Sequence, residues 1–272
     1  MKVAVMTDIM EMEMMERPKP EVKDNEVMVK VKHCGVCGSD VHFYEQGRIG
    51  GFIVEPPFVL GHECAGEVVE IGSAVKKFKV GDLVAIEPGR VCNTCEACKS
   101  GRYNLCPEME FYATPPCDGA FAEFVTAPED MTYMLPEGMS TLEGALLEPL
   151  AVGFQAVTRG KATVGQSAVV LGSGCIGLCT MMALHARGVN TVYMVDVIPM
   201  RLEMAKKLGA AGVVNAKEEN TIEAIKKLTE SQKSFAENLE TVKDIHASTD
   251  ALREVDAQWK KVSDNIDLIA SQ

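Results

Sequence analysis

The sequence predicts a small β-barrel or sandwich, followed by an incomplete parallel α/β unit and then a helical tail. Three observations carry this expectation. Short β-rich runs bounded by Gly, Pro or Asp-Asn turns fill roughly the first 150 residues. A buried-strand pattern at 166–171 leads straight into Gly172-Ser173-Gly174-Cys175-Ile176-Gly177 and a helix-like stretch at 178–187. Glycine and proline then cease: the last Gly is Gly212, the last Pro is Pro199, and residues 213–272 have neither. The expected divisions are 1–157, 158–228 and 229–272.

Composition narrows the function classes. A chain of 272 residues with 47% hydrophobic and 24% charged side chains can bury the cores of about two domains. Its net charge of -12 argues against nucleic acid or an anionic membrane surface as partner. No run approaches the ~20 apolar residues of a spanning helix. Asp8, Glu11, Glu13 and Glu16 break up the first seventeen positions, so no secretion signal is read there. The ten cysteines all lie between Cys34 and Cys179, and without a secretion signal they suggest thiolate chemistry rather than a disulfide framework. A cytoplasmic protein without membrane insertion is expected.

In the first part, residues 2–7, 26–32, 65–71, 82–87 and 120–126 read as strands, with Pro18, Pro20 and Asp24-Asn25 turning the chain between the first two. Within this part lies Cys92-x-x-Cys95-x-x-Cys98-x7-Cys106, in a lobe at about 89–108. Four thiolates so spaced can wrap one zinc tetrahedrally with no open position, which makes a structural site that staples a lobe too small for its own core. An iron–sulfur cluster or coincidental thiols are the other readings, although no second cysteine set accompanies the first. Cys37 with Gly61-His62-Glu63 offers a thiolate, an imidazole and a carboxylate. Such a set leaves a fourth position for water or a substrate oxygen, the mark of a catalytic zinc. His62 and Glu63 are adjacent and reach one ion only from a turn or strand end, which Gly61 permits; the plain alternative is a surface dipeptide. Cys34, Cys64, Cys117, Cys175 and Cys179 lack ligand spacing and read as buried small residues.

Cys37-Gly38-Ser39-Asp40-Val41-His42, then Gly61-His62-Glu63, then the cysteine lobe ending Gly101-Arg102-Tyr103-Asn104-Leu105-Cys106 together resemble the zinc-dependent medium-chain dehydrogenases. Gly47-Arg48-Ile49-Gly50 and Ala113-Thr114-Pro115-Pro116 are similar to the polyol branch, the sorbitol (L-iditol) and xylitol dehydrogenases. The resemblance covers about 1–228. It implies a GroES-like catalytic barrel, a Rossmann nucleotide domain, two Zn2+ per chain, NAD, and oxidation of a small polyol. It also implies that Cys37, His62 and Glu63 bind the catalytic zinc and that Glu148 binds that zinc or its water, although Glu148 also fits a helix-start acid ahead of Pro149. Ser39 and His42 match positions that pass the substrate proton to solvent; His42 can equally be a surface histidine. Phe43 stands where several polyol enzymes carry a substrate-contacting tyrosine.

The glycine-rich turn between a strand and a helix, with an acid about twenty residues on, forms a dinucleotide fingerprint. Gly172, Gly174, Ile176 and Gly177 form the turn. Asp196, at the end of the run 191–195, is expected to accept from both ribose hydroxyls of NAD and to repel the extra phosphate of NADP. By the resemblance, Arg201 lies near the adenosine ribose, leaving some NADP tolerance; otherwise it is a solvated residue on a helix at 199–208.

The nucleotide fold then stops short of its six strands. Only two strands, a weak third at 212–215 and a helix at 221–228 are read before the polar, helix-favouring stretch 231–272. Leu252, Val255, Trp259, Val262, Ile266 and Ile269 repeat at alternating three and four, a coiled-coil seam, and Phe235, Leu239 and Val242 repeat in a shifted phase. The ending 266–272 is similar to the signalling hairpin of methyl-accepting chemotaxis receptors, and any long amphipathic helix reads the same way. The chain reads as composite and as cut rather than finished, which puts turnover in question. The rival expectations are an inactive zinc-binding dehydrogenase fragment and a signalling coiled coil, each assembling as a homo-oligomer through the tail.

Overall fold

The computed structural model describes residues 1–240, with side-chain surroundings for 1–230. The chain divides into two compact units, Met1–Glu148 and a second beginning at Pro149.

The first unit opens with the antiparallel hairpin β1 (Lys2–Asp8) and β2 (Glu11–Glu16). Next come β3 (Glu26–Gly35), α1 (Gly38–Gln46), the small hairpin β4 (Arg48–Ile49) and β5 (Phe52–Ile53), then β6 (Glu63–Ile71) and β7 (Leu83–Ile86). The cysteine lobe holds β8 (Gly89–Arg90), α2 (Glu96–Lys99) and β9 (Glu110–Phe111). β10 (Phe124–Pro128), β11 (Thr132–Met134) and α3 (Thr141–Ala145) follow, and α4 (Leu147–Arg159) starts at the division between units.

The expected barrel or sandwich takes the form of a five-stranded antiparallel sheet in the order β10-β3-β6-β7-β11. Val27, Val29, Val68, Val84, Ile86 and Val125 form its core, β-branched side chains that suit a pleated surface. Main-chain bridges Val3–Ala122 and Met6–Phe58 tie the first hairpin to the rest. The strand expected over 120–126 starts later, at Phe124, because the main chain of 120–122 bonds to Leu60, Gly61 and the first hairpin instead of entering the sheet. One register positions the site: Gly35 at the end of β3 pairs with Glu63 at the start of β6. Cys37 thereby comes beside His62 and Glu63 despite the separation in sequence.

In the second unit, β12 (Ser167–Leu171), β13 (Thr191–Asp196) and β14 (Gly212–Asn215) form a parallel sheet in that order. The crossovers are α5 (Cys175–Ala186) and α6 (Pro199–Lys207). Side chains alternate across the pleat. Val192 and Met194 face Met181 and Leu184 of α5 and Ala205 of α6. On the opposite face, Val195 and Val214 pack against Ala224, Ile225 and Leu228 of α7 (Thr221–Glu240). Val169 and Leu171 share that second face by register but lie beyond α7, 46% and 78% exposed.

Two expectations need correction. α5 begins at Cys175, not 178, because the helix starts inside the glycine-rich turn; Cys175 is accordingly exposed, not a buried small residue. Cys64 and Cys179 are buried as expected, while Cys34 and Cys117 are half-buried. The helix read at 221–228 runs on to Glu240, into the stretch expected to be helical, since 229–240 contain no Gly or Pro to stop it. The seam from Val242 to Ile269 lies outside the described residues. Among the described residues, no helix is long and apolar enough to cross a membrane.

Candidate functional site

Ligand atoms of Cys37, His62 and Glu63 all lie within 4.8 Å of one another. His62 and Glu63 are buried and Cys37 is half-buried. Gly61 takes φ +90°, a conformation costly for other residues, and so turns the chain into β6 with both side chains available to one centre. Gly35 leaves room for the carboxylate: a Cβ there would stand 2.1 Å from Glu63 Oε2. Burial raises the Glu63 pKa, an effect opposed by His62. Burial likewise raises Cys37, against hydrogen bonds from Ser39. Glu148 lies outside the three-residue cluster. Its pKa is raised by burial, lowered by His62 and raised again by Glu63 and Asp40, so it belongs to the same electrostatic field. Crowded acids and a thiol, each resisting ionisation, suit a dication, whose charge would relieve all of them.

Asp40 was not singled out by the sequence reading, yet it joins the two ligand segments. Its Oδ2 accepts from the Cys37 N–H at 2.9 Å and its Oδ1 from the Gly61 N–H at 2.9 Å. His62 Nδ1 lies 3.7 Å from Oδ1, an electrostatic contact too long for a hydrogen bond. An acid three residues into a helix, reaching back to the cap residue, is the available sequence signal. Asp40→Asn is expected to lower zinc affinity at this cluster on the order of 10–100-fold while the cysteine lobe keeps its ion. Zinc per chain under graded chelator checks this; unchanged retention would leave Asp40 a role in folding alone. Phe111 also went unnoticed: its ring lies 5.8 Å from the His62 ring and tilted by 54°. Phe43 is buried with Met6, Val54, Phe58 and Leu60, so it packs the core. His42 is exposed on α1, and Ser39 is half-buried beside Cys37.

The sulfurs of Cys92, Cys95, Cys98 and Cys106 likewise lie within 4.8 Å of one another. Backbone N–H groups of Cys92, Cys95 and Cys98 donate to the sulfurs of Cys106, Cys92 and Cys95 at 3.5, 3.3 and 3.4 Å, as suits thiolates. Hydrogen bonds from Thr94 bring Cys92 down to about 6, whereas burial and then the neighbouring thiols push Cys98 up to about 12. Four thiols that cannot all ionise unaided fit a cation between them.

In the second unit, Gly172 takes φ +98° and donates its N–H to Val195 O at 2.8 Å. A Cβ on Gly177 would stand 1.9 Å from Gly172 O, so only glycine lets α5 start this close to the turn. Gly174 caps α5 and opens towards Arg201, whose Nη1 a Cβ there would meet at 3.9 Å. Ile176, next in the turn, is 41% exposed. The Ser173 hydroxyl is buried with no hydrogen-bond partner among the described residues. An orphaned polar atom beside a helix N-terminus fits a pyrophosphate or its bridging water. Asp196 is more committed than expected. Its Oδ1 accepts from the Val197 and Ile198 N–H groups at 2.7 and 2.9 Å and its Oδ2 from Ser173 N–H at 2.7 Å, with Arg201 Nη1 at 3.8 Å. Burial raises its pKa, but these bonds outweigh it and hold the carboxyl below its usual range. One acceptor position remains, on Oδ2, so Asp196 can take one ribose hydroxyl rather than two without losing a backbone bond.

Residues 23–137 match the alcohol dehydrogenase GroES-like domain and residues 175–257 the zinc-binding dehydrogenase domain. The second match runs past the expected limit of resemblance near 228. A sorbitol dehydrogenase of Bacillus subtilis (strain 168) is 47% identical over 229 residues, covering 84% of this chain and 65% of that protein. A protein of Arthroderma otae named probable D-xylulose reductase A is 45% identical over 225 residues, covering 82% and 63%. Among solved structures, an Escherichia coli oxidoreductase/dehydrogenase of unknown specificity involved in membrane biogenesis superposes with a TM-score of 0.79 at 42% identity, covering 85% of this chain and 67% of that one. The chain belongs to the zinc-dependent medium-chain dehydrogenases, in the branch of this sorbitol dehydrogenase and D-xylulose reductase. It spans less than two thirds of the length of these two curated relatives.

Proposed function

We propose that the chain oxidises a small polyol, with hydride passing from a carbinol carbon to NAD. The convergence of Cys37, His62 and Glu63 carries this reading, because a thiolate, imidazole and carboxylate set with an open position suits a metal that also holds substrate. Zinc, when bound, supplies Lewis-acid polarisation of the substrate oxygen. Cys37, His62 and Glu63 would hold it, with Glu148 adding negative charge close by.

The chain's own groups do the rest. Asp40 fixes the Cys37 and Gly61 segments against each other, so the donor set keeps its geometry as substrate enters. Ser39 can both accept and donate a proton. With its hydroxyl beside Cys37, it is suited to receive the substrate proton, and exposed His42 to pass it to water. On the nucleotide side, the N-terminus of α5 would hold the pyrophosphate. The free position on Asp196 Oδ2 would take a ribose hydroxyl, its charge would disfavour a 2′-phosphate, and Arg201 would temper that bias. The names of the two relatives support a polyol substrate.

The test is NADH formation by zinc-loaded protein given sorbitol or xylitol with NAD. Turnover that disappears in Cys37→Ala is expected. No NADH from either polyol with both metal sites loaded would sink the reading and leave a zinc-binding fragment.

A further inference from the structure

We propose that a cleft on the first unit, between the end of β2 and the start of β10, is a second ligand site for a small organic anion with an apolar body, such as a medium-length carboxylate. Its volume of about 340 Å³ falls within the range of small-molecule sites. Val3, Val59, Ala122 and Val125 give it an apolar floor, and Pro18 and Pro20, with their fixed φ, stiffen one wall. Its charge runs against that of the molecule. In a chain of net charge -12, Arg17, Lys19 and Arg90 line the cleft against the single acid Asp118.

These cations are not equally committed. Arg90 is held by Glu26 and Thr126, and Arg17 Nη1 by Asp118 Oδ2 at 2.9 Å. The ammonium of Lys19 instead stands 4.1 Å over the Phe124 ring, and among the described residues no carboxylate pairs with it. A cation–π contact leaves an ammonium able to take an anion from the open side. A carboxylate there would meet Lys19 and the outer edge of Arg17, with its alkyl chain over the valines. The wall is also bonded to the segment that leads into His62. Asp118 Oδ1 accepts from Val59 N–H at 2.9 Å, and the Ala120 N–H donates to Gly61 O at 2.7 Å. The cleft uses none of the metal donors.

The experiment is calorimetric titration of the zinc-loaded full chain with octanoate, octanol and acetate. Octanoate is expected to bind once per chain at this site, with octanol and acetate each about tenfold weaker or more, since each lacks one half of the recognition. Lys19→Glu should weaken octanoate about tenfold and leave octanol unchanged. Ala122→Phe should abolish binding by filling the floor. Lys19 is exposed, so its reversal decides the matter even where the Ala122 variant folds poorly. Absent octanoate binding, octanol binding as tightly, or octanoate affinity unmoved by Lys19→Glu would each overturn the proposal.

Discussion

Replacing Cys98 with serine is expected to halve the zinc content, from one ion at each of the two donor sets to one ion in all. It should also open residues 91–109 to protease while the five-stranded sheet stays folded. Between 91 and 109 only Cys106 is buried, and neither α2 nor the 3-10 turn Tyr103–Leu105 buries a side chain. The lobe therefore has no apolar core, and the β8–β9 pairing at its base holds just two residue pairs. Closing nineteen residues, 91 to 109, without a core depends on the metal, whose binding to such sites is worth about 10–16 kcal/mol in small zinc domains. Loss of one of four thiolates opens the site to water and proton competition. Zinc analysis with mass-mapped limited proteolysis checks this. A Cys98→Ser protein that keeps both ions and resists cleavage at 91–109 would show that the lobe folds by other means.

Gly177→Ala is expected to destabilise the second unit by about 3 kcal/mol and to remove dinucleotide binding, with zinc content unchanged. The added methyl would stand 1.9 Å from Gly172 O and 2.9 Å from its carbonyl carbon, both main-chain atoms that no rotamer change can move. Relief requires α5 to back away from the turn, which separates Leu178 and Met181 from the strands they pack on. Gly174→Ala is the control, because its methyl would meet only the tip of Arg201 at 3.9 Å. That variant should melt with the parent yet bind NAD poorly, since the side chain would occupy the approach to the helix N-terminus. Thermal unfolding and NAD titration of both variants separate the two effects. A Gly177→Ala protein that melts with the parent would mean the turn relaxes at little cost.

Alternating or continuous apolar runs gave most strands to within a few residues, because one buried sheet face leaves a period-two trace that no other structure produces as well. The donor residues were legible by type: a thiolate, an imidazole and an acid have few reasons to combine. Their meeting was expected from the resemblance and not from any local pattern, since it depends on the Gly35–Glu63 register, and strand pairing leaves no local mark. Phe111 stayed hidden for the same reason, and so did half of the part played by Asp40: its bond to Cys37 is local, but its bond to Gly61 joins segments distant in sequence. Asp196 shows a different limit. Its place at the strand end was readable, but three backbone N–H groups claim acceptor positions that the reading had assigned to ribose. The start of α5 was missed because a turn rich in glycine already contains the first residues of its helix.

The margin of the second sheet has a consequence for how the molecule behaves in solution. One side of β12 bonds to β13; among the described residues nothing bonds to the other, and Ser167–Leu171 contains neither a charge nor a proline to ward off a neighbour. The net charge of -12 is expected to hold molecules apart by mutual repulsion, which fades beyond about 8 Å at physiological ionic strength. Added salt is thus expected to weaken the repulsion without blunting the sticky margin, so self-association should rise with ionic strength.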